Sequence, residues 1–513
     1  MGLKKGIRLR WTWMNIHLLH LELKHSIVFI KDWTIETGVR NILTREIRGY
    51  AVIIFGLIIL CIMLTVHTTN NDTLFHIKVG ETIISDGFTK VDSLTTHDDL
   101  RYLPYAYGFD ILTYVFYNLF GFGGIVFIKY FSTVVIGVLL LYCFKKLSVD
   151  RSLNLTITGV TLVLLSFFLV VRPQIVSYVA MIIQLYIYTN WQSKGYKSKT
   201  IWLIPCLFLI LTNFHTGTSI FHILISGTFL FDIIIIKYKS GKPLKDCGFY
   251  TYIIIFALSL VALCINPYFP DHLLFSFKTL GDSDMMFINE WKSPELLSYN
   301  GVVVLVSLVI FAKTYSSKKA PVGYLLTFIG SLILAIRSIR FLPYLIIISA
   351  FSVGQCMVFS KEKFYKFRTS WITTVILGIL SLALFIGIDI KDGFTFDLHK
   401  DNPVEVVEYL IENNITEGVY NDYNIGAYLM FHDIKVFIDQ RADLYSKSFN
   451  GTSILNDSLC VYTGVYNIFE ILDKYELNYA IIDKNTLYYN AYVKESGCNI
   501  LVDSERYLLI ETE

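Results

Sequence analysis

A few ionisable side chains stand out in a 513-residue chain of which only 17% is charged. Asp72 and His76 follow one long apolar segment, and Arg172-Pro173-Gln174 joins two others. Asn213-Phe214-His215 and Asn266-Pro267-Tyr268 each end an apolar segment, and Asn289-Glu290-Trp291 lies in the loop after the second. Arg337 and Arg340 flank a hairpin between two more. A carboxylate such as Asp72 can take a proton from a hydroxyl within hydrogen-bond reach; an Asp there also suits a helix N-cap. The three arginines match phosphate oxygens bidentately, and they suit snorkelling or pairing with loop carboxylates equally well. His76 and His215 lack metal-ligand spacing, so structural histidines are the simpler reading. Trp291 and the Tyr102/Tyr105/Tyr107 group offer faces for a sugar ring, although aromatic belts are common at membrane interfaces.

The elements that must position these groups are membrane helices. The chain is 54% hydrophobic and 15% aromatic, with a mean hydropathy of +0.54. Charged residues usually make up about a quarter of a soluble domain, so a disordered chain or a single soluble globule is excluded. Eleven apolar segments approach the roughly 20 residues that a spanning helix needs: 50–67, 122–144, 153–171, 174–190, 201–214, 217–236, 250–266, 300–312, 321–336, 340–359 and 371–389. Positive loops stay cytoplasmic. Lys145/Lys146/Arg151, Lys194/Lys197/Lys199, Lys237/Lys239/Lys242/Lys245, Lys313/Lys318/Lys319 and Lys361/Lys363/Lys366/Arg368 all fall on one side if every segment spans. The basic arm 1–49 falls there too and reads as interfacial rather than as a signal peptide. The expectation is a multi-pass protein with a cytoplasmic N-terminus, a transmembrane domain over 50–390 and a non-cytoplasmic tail over 391–513. All the polar groups named above then gather on the outer face, as ionisable groups near membrane helices do at functional sites.

The 44 basic and 42 acidic residues nearly balance, giving no reason to expect a nucleic-acid partner. Eight cysteines show no metal spacing, and Cys460 and Cys498 could pair or stay apart. The outer loop 68–121 is acidic, with amphipathic spacing over 73–86 that suits a helix lying on the membrane and an aromatic-rich candidate helix over 109–120. The tail alternates helical patterns (Val404–Asn413, Ile425–Phe431, Ile468–Tyr475) with short apolar strands (Gly418–Tyr420, Val436–Asp439, Tyr479–Asp483), as in an α/β domain. Asp422, Asp439, Arg441 and Asp443 lie at ends of these strands, where they would bind an acceptor or dock the domain on the membrane part.

Eight pieces in order resemble the GT-C superfamily of polytopic membrane glycosyltransferases, and within it a bacterial and archaeal group of GT-C-like membrane proteins. They are N-D-T-L-F-H-I-K-V-G (71–80), R-P-Q (172–174), N-F-H-T-G (213–217), N-P-Y (266–268), I-N-E-W-K-S-P (288–294), R-S-I-R-F-L-P (337–343), V-Y-N-D-Y-N-I-G-A-Y-L (419–429) and V-F-I-D-Q-R-A-D-L-Y (436–445). The resemblance implies transfer of a sugar (hexosyl or pentosyl) from a polyprenyl-phosphate donor, with inversion, to a glycan, lipid or protein acceptor at the outer face. It makes Asp72 the base, and Arg172, Arg337 and Arg340 are then the candidates for the donor phosphate. His76, Gln174, Asn213, His215, Asn289, Glu290 and Trp291 would line the site. Divalent metal use varies in the superfamily, and no motif here decides it. Many relatives carry a His-Glu pair later in the first loop, where this chain has Tyr105 and Ala106; that leaves Asp110 as the nearest second acid. The alternatives are a non-enzymatic transporter or scaffold in envelope polysaccharide or lipid assembly, or a lipid-phosphate hydrolase. The absence of an evident internal repeat counts against transport.

Overall fold

The computed structural model describes residues 71–149, 151–241, 248–272, 288–315, 321–360 and 401–512, with isolated positions at 243, 274 and 278. The chain divides into two units, 1–60 and 61–513, and all described residues belong to the second. The expected segments 50–67 and 371–389 and the basic arm lie outside the described residues.

Among the described residues the first part holds α1 (Asn71–Asp86), α2 (Tyr107–Phe120), α3 (Phe122–Lys146), α4 (Arg151–Leu165), α5 (Gln174–Ser193), α6 (Ile204–Phe214), α7 (Ser219–Ser240), α8 (Phe249–Leu263), α9 (Tyr299–Tyr315), α10 (Val322–Arg337) and α11 (Leu342–Ser360). The last nine match nine of the apolar segments. Their ends are marked by residues that cannot continue a helix or naturally begin one. Pro173 precedes α5, Pro321 precedes α10, and Gly241 closes α7 at φ 64°. Among the described residues two stretches, Phe122–Lys146 and Thr216–Lys239, are long and apolar enough to cross a membrane. The predicted segment 153–171 stops being α-helical at Leu165, and a tighter turn over Ser166–Phe168 leads into the corner carrying Arg172.

The C-terminal part contains α12 (Val404–Glu412), β1 (Val419–Tyr420), α13 (Gly426–Phe431), α14 (Lys447–Asn450), α15 (Ile454–Tyr462), α16 (Ile468–Lys474), β2 (Tyr479–Asp483), β3 (Asn499–Asp503) and β4 (Tyr507–Glu511). The sheet order is β1-β2-β4-β3, with β1 parallel to β2 and the other pairs antiparallel. Two expectations change. The β3–β4 hairpin was not anticipated. Val436–Asp439 is no strand: it bends at Phe437 and makes one isolated bridge, Thr95 to Val436. Side chains and loops replace a neighbouring strand: Phe437 N donates to Asn421 Oδ1 (2.9 Å), Asn421 Nδ2 to the Ile438 carbonyl (2.7 Å), and Val436 N to the Leu94 carbonyl (3.1 Å). Cys460 and Cys498 are unpaired.

The first loop and the tail share one core. Leu74, Phe75, Val79, Ile83, Leu100 and Tyr102 pack with Val406, Val419, Phe437, Ile481 and Leu509. Helix α1 is therefore not laid on a surface by one face: Thr73 to Gly80 are all buried, between α2 and α13. Gly80 permits the α1–α2 approach, because a Cβ there would stand 2.1 Å from the Asp110 carbonyl oxygen. Gly426 does the same for α13, where a Cβ would meet the Ile438 carbonyl at 2.2 Å.

Candidate active site

Asp72 is the second residue of α1, and its Oδ2 lies 2.5 Å from Arg172 Nη2. The same guanidinium ion-pairs through Nη1 with Glu290. Arg172 is held at the start of α5 by its own backbone, which donates to the Val170 carbonyl (2.8 Å) and accepts from Ile175 N (3.2 Å). Thr73 Oγ1, beside Asp72, donates to the Val171 carbonyl (3.3 Å), fastening α1 to that corner. Glu290 sits in a short turn, Asn289–Trp291, tied to the α10–α11 hairpin by Ser338 Oγ donating to the Glu290 carbonyl (2.9 Å) and Ile339 N to the Lys292 carbonyl (3.0 Å). The hairpin carries Arg340, whose guanidinium lies 5.1 Å from the Trp291 ring centroid.

These charges separate the two carboxylates. Burial pushes the Asp72 carboxyl up, with Arg172 opposing and Glu290 reinforcing the rise. Burial acts on Glu290 the same way, but Arg172 and Arg340 together outweigh it and hold Glu290 below its ordinary value. Arg172 is itself raised by its two carboxylates in spite of burial and stays charged. Two acids whose environments push their pKa values apart are suited to different roles: Asp72 to exchanging a proton, Glu290 to a fixed negative charge.

The other expected residues have different fates. His76 Nδ1 lies 2.5 Å from Asp110 Oδ1, both buried where α1 meets α2. Burial raises Asp110 and the His76 contact opposes that rise. Asp110 is thus committed to His76, and Glu290 is the acid that shares a cation with Asp72. Asn213 is a bracket for the end of α6, donating to the carbonyls of Leu209 (2.6 Å) and Ile265 (3.1 Å). Arg337 ends α10 with its side chain exposed, and no described contact joins it to Asp72 or Arg172. The side chain of Asn289 lies outside the described residues. Among the described residues, Gln174 Oε1, His215 Nε2 and Arg172 Nε are buried without a hydrogen-bond partner, and no described contact joins Gln174 or His215 to Asp72. A buried polar atom left unsatisfied costs about 1–3 kcal/mol.

The tail residues also separate. Arg441 Nη2 lies 2.7 Å from Asp439 Oδ2, and Nη1 ion-pairs with Asp92 of the first loop. Tyr445 donates to Asp439 (2.6 Å), and the Tyr102 ring faces the guanidinium at 4.7 Å. This cluster docks the tail on the loop. Asp422 is internal to the tail, accepts from Tyr488 (2.8 Å) and is pushed up by burial to about 7. Burial raises Asp443 to about 6, its own backbone and then Arg441 opposing the rise most and Arg340 least. Tyr423, which the sequence offered only beside Asp422 at a strand end, has its phenol in the field of Asp72, Asp439, Glu290 and Asp443. Asp92 was one of several loop acids, and Asn71 had no assigned role; only the distant partners of these residues reveal them.

The donor set does not suit a resident cation as arranged. Among the described residues no three His, Cys, Asp or Glu side chains gather as a metal set, and the Arg172 guanidinium bridges Asp72 and Glu290.

The helical bundle with its small mixed domain is similar in fold to solved membrane glycosyl- and oligosaccharyltransferases. ArnT from Cupriavidus metallidurans, solved bound to undecaprenyl phosphate, is similar with a TM-score of 0.54 at 11% identity, over 90% of this chain and 98% of that one. The Archaeoglobus fulgidus oligosaccharyltransferase tethered to an acceptor peptide gives 0.57 at 9% identity, over 85% and 69%. The same organism's AglB, in complex with an inhibitory peptide and a dolichol-phosphate, gives 0.53 at 10%, over 85% and 70%. No family model and no curated protein matches the sequence.

Proposed function

We propose that this chain is a GT-C-type membrane glycosyltransferase that moves a sugar from a polyprenyl-phosphate donor to an acceptor hydroxyl on the non-cytoplasmic face. The observation that carries this reading is the bridge Asp72–Arg172–Glu290, with Arg340 acting on both acids. The neighbours' bound polyprenyl phosphates support it. Asp72 takes the proton of the acceptor hydroxyl as its oxygen attacks the anomeric carbon from the face opposite the phosphate. The carbon–oxygen bond to the phosphate breaks, its electron pair stays on the phosphate, and the product is inverted. Arg172 has five N–H donors, enough to hold Asp72 and Glu290 and still meet phosphate oxygens. Placed beforehand, Arg172 and Arg340 stabilise the charge that develops there. Arg337, exposed on the next turn, would at most guide the donor inward.

The test is incubation of the purified protein with defined polyprenyl-phosphate sugars. Release of polyprenyl phosphate with a glycosylated product supports the reading, and free sugar phosphate would instead indicate a hydrolase. Asp72→Asn should fold normally and lose activity by about a hundredfold or more; undiminished turnover removes Asp72 as the base.

A further inference from the structure

The tail brings one short loop to the start of α1, and the proposed chemistry at the phosphate makes no use of it. Asn71 Nδ2 donates to the Asn424 carbonyl at 2.9 Å, so the residue before the candidate base is bound to the residue after Tyr423. Gln440 fixes the same loop: its Nε2 donates to that carbonyl (2.9 Å), and its own carbonyl accepts from the Tyr423 hydroxyl (3.1 Å). With its backbone carbonyl used twice, Asn424 is left exposed at its side chain. Tyr423 is half-buried, and because its hydroxyl is engaged, its ring is what it can offer. Asp72 and Glu290 are themselves open to solvent, with side chains 20% and 39% exposed. The charges acting most strongly on the Tyr423 phenol are the carboxylates of Asp72, Asp439, Glu290 and Asp443, which come from three different segments.

The rings that the sequence offered to a sugar have other partners. The Arg340 guanidinium lies over Trp291 and the Arg441 guanidinium over Tyr102, at 5.1 and 4.7 Å from the ring centroids. Tyr107 packs on Phe88 and Tyr268, at 5.3 and 6.2 Å. The face of a phenol ring is slightly negative and takes the polarised C–H face of a sugar. A neighbouring amide both donates and accepts, as sugar hydroxyls do. Carboxylates around the loop accept hydroxyl hydrogens and repel anions, which disfavours the donor phosphate there and an acidic sugar equally. The phosphate belongs with Arg172 and Arg340, so the tail loop is left to the other substrate. We infer that Tyr423 and Asn424 form the acceptor subsite and that its occupant is a neutral sugar ring, stacked on Tyr423 with hydroxyls bonded to the Asn424 amide. The inference rests on the glycosyltransferase reading and narrows the acceptor from a glycan, lipid or protein to a glycan. A lipid acceptor needs an apolar surface and a peptide a sheet edge or apolar pocket, whereas Asn421-Asp422-Tyr423-Asn424 is polar apart from its one ring.

The experiment applies the full-length protein in nanodiscs to an array of neutral hexo-oligosaccharides, uronate-containing oligosaccharides and Ser/Thr peptides, with binding of polyprenyl phosphate measured alongside. Wild type should retain the neutral oligosaccharides and bind the other two classes at least about tenfold more weakly. Tyr423→Ala should weaken the best neutral oligosaccharide about tenfold, the loss of one stacked ring, while Tyr423→Phe, which keeps the ring, stays within about threefold. Asn424→Ala should weaken it about fivefold, the loss of an amide's hydrogen bonds. Each variant should hold polyprenyl phosphate as wild type does, which also shows that it is folded. If Tyr423→Ala loses polyprenyl phosphate, Asn424→Ala decides, since it leaves in place the carbonyl that Asn71 uses. Undiminished oligosaccharide binding in the deciding variant, or uronates or peptides bound as tightly as neutral glycans, overturns the subsite. So does wild type that binds polyprenyl phosphate and nothing on the array; in each of these cases the glycosyltransferase reading stands. Failure of wild type to bind polyprenyl phosphate as well overturns both.

Discussion

Asn71, the residue before the candidate base, donates from Nδ2 to the backbone carbonyl of Asn424 at 2.9 Å, across 353 positions of chain. The same nitrogen reaches Asn402 Oδ1 at 3.1 Å. The start of α1 is therefore stapled to the tail at the residue after Tyr423, and Tyr423 is itself fixed by its hydroxyl donating to the Gln440 carbonyl at 3.1 Å. The tail helps place Asp72, in addition to packing on its helix.

Replacing Asn71 by Ala removes both donations and should cost about 1–3 kcal/mol of stability. Because the change touches no group assigned to the phosphate, kcat should fall more than the affinity for polyprenyl phosphate. Steady-state kinetics beside a binding isotherm separates the two, and equal losses in both would mean that Asn71 merely supports the fold.

Asp72 must be ionised to act as base, and burial raises its pKa. Activity should therefore be lost on acidification at a pH above the value of about 3.9 for an ordinary Asp. The Glu290 charge contributes to that rise and Arg172 opposes it. Glu290→Gln should move the acid limb of the kcat/KM profile to lower pH, and Arg172→Gln should move it higher while cutting turnover about a hundredfold or more. A limb that moves upward in Glu290→Gln contradicts the coupling.

Arg441 lies fully buried between Asp439 and Asp92. Arg441→Met leaves two uncompensated acids and should destabilise the protein by about 3–5 kcal/mol. Converting Asp92 and Asp439 to Leu in the same protein should recover most of that loss, since a buried ion cluster is often replaceable by apolar packing. Thermal unfolding, with proteolysis of the 87–106 loop as a local readout, checks both.

Asp422 is raised to about 7 in the folded protein, against about 3.9 unfolded. Between those values the folded state binds the extra proton, so its contribution to stability grows as pH falls from 7 towards 4 and is lost as pH rises through 7. Asp422→Asn keeps an acceptor for Tyr488 and should flatten this dependence while stabilising the protein at pH 8. Unfolding curves across that range report it directly; an unchanged slope would remove Asp422 as its source.

The helices of the bundle were legible because each must be apolar along its length and must end at residues such as Pro173, Pro321 or Gly241. Strand Tyr479–Asp483 and helices α12, α13 and α16 were legible from the same periodicities. The β3–β4 hairpin was missed because its outer strand, Asn499–Asp503, is exposed or half-buried throughout and carries no core-facing alternation. Val436–Asp439 has the composition of a buried strand, yet Asn421 and the first loop take its backbone bonds, and composition cannot tell those partners apart.

The sequence by itself determined where the apolar helices run and which few ionisable residues stand at their ends, since local charge and hydropathy decide both. It placed Asp72, Arg172, Arg340 and Glu290 in that set. Only the tertiary structure decided their relations: that Arg172 bridges Asp72 and Glu290, that Asp110 belongs to His76, that Arg337 stands apart, and that Asp439 and Arg441 dock the tail while Asp422 is internal to it. Pairing of charges depends on distances of a few ångströms between residues up to hundreds apart in sequence, and those distances are set by packing. Gly80 and Gly426, where a single methyl group would force elements apart, show how finely that packing controls the site.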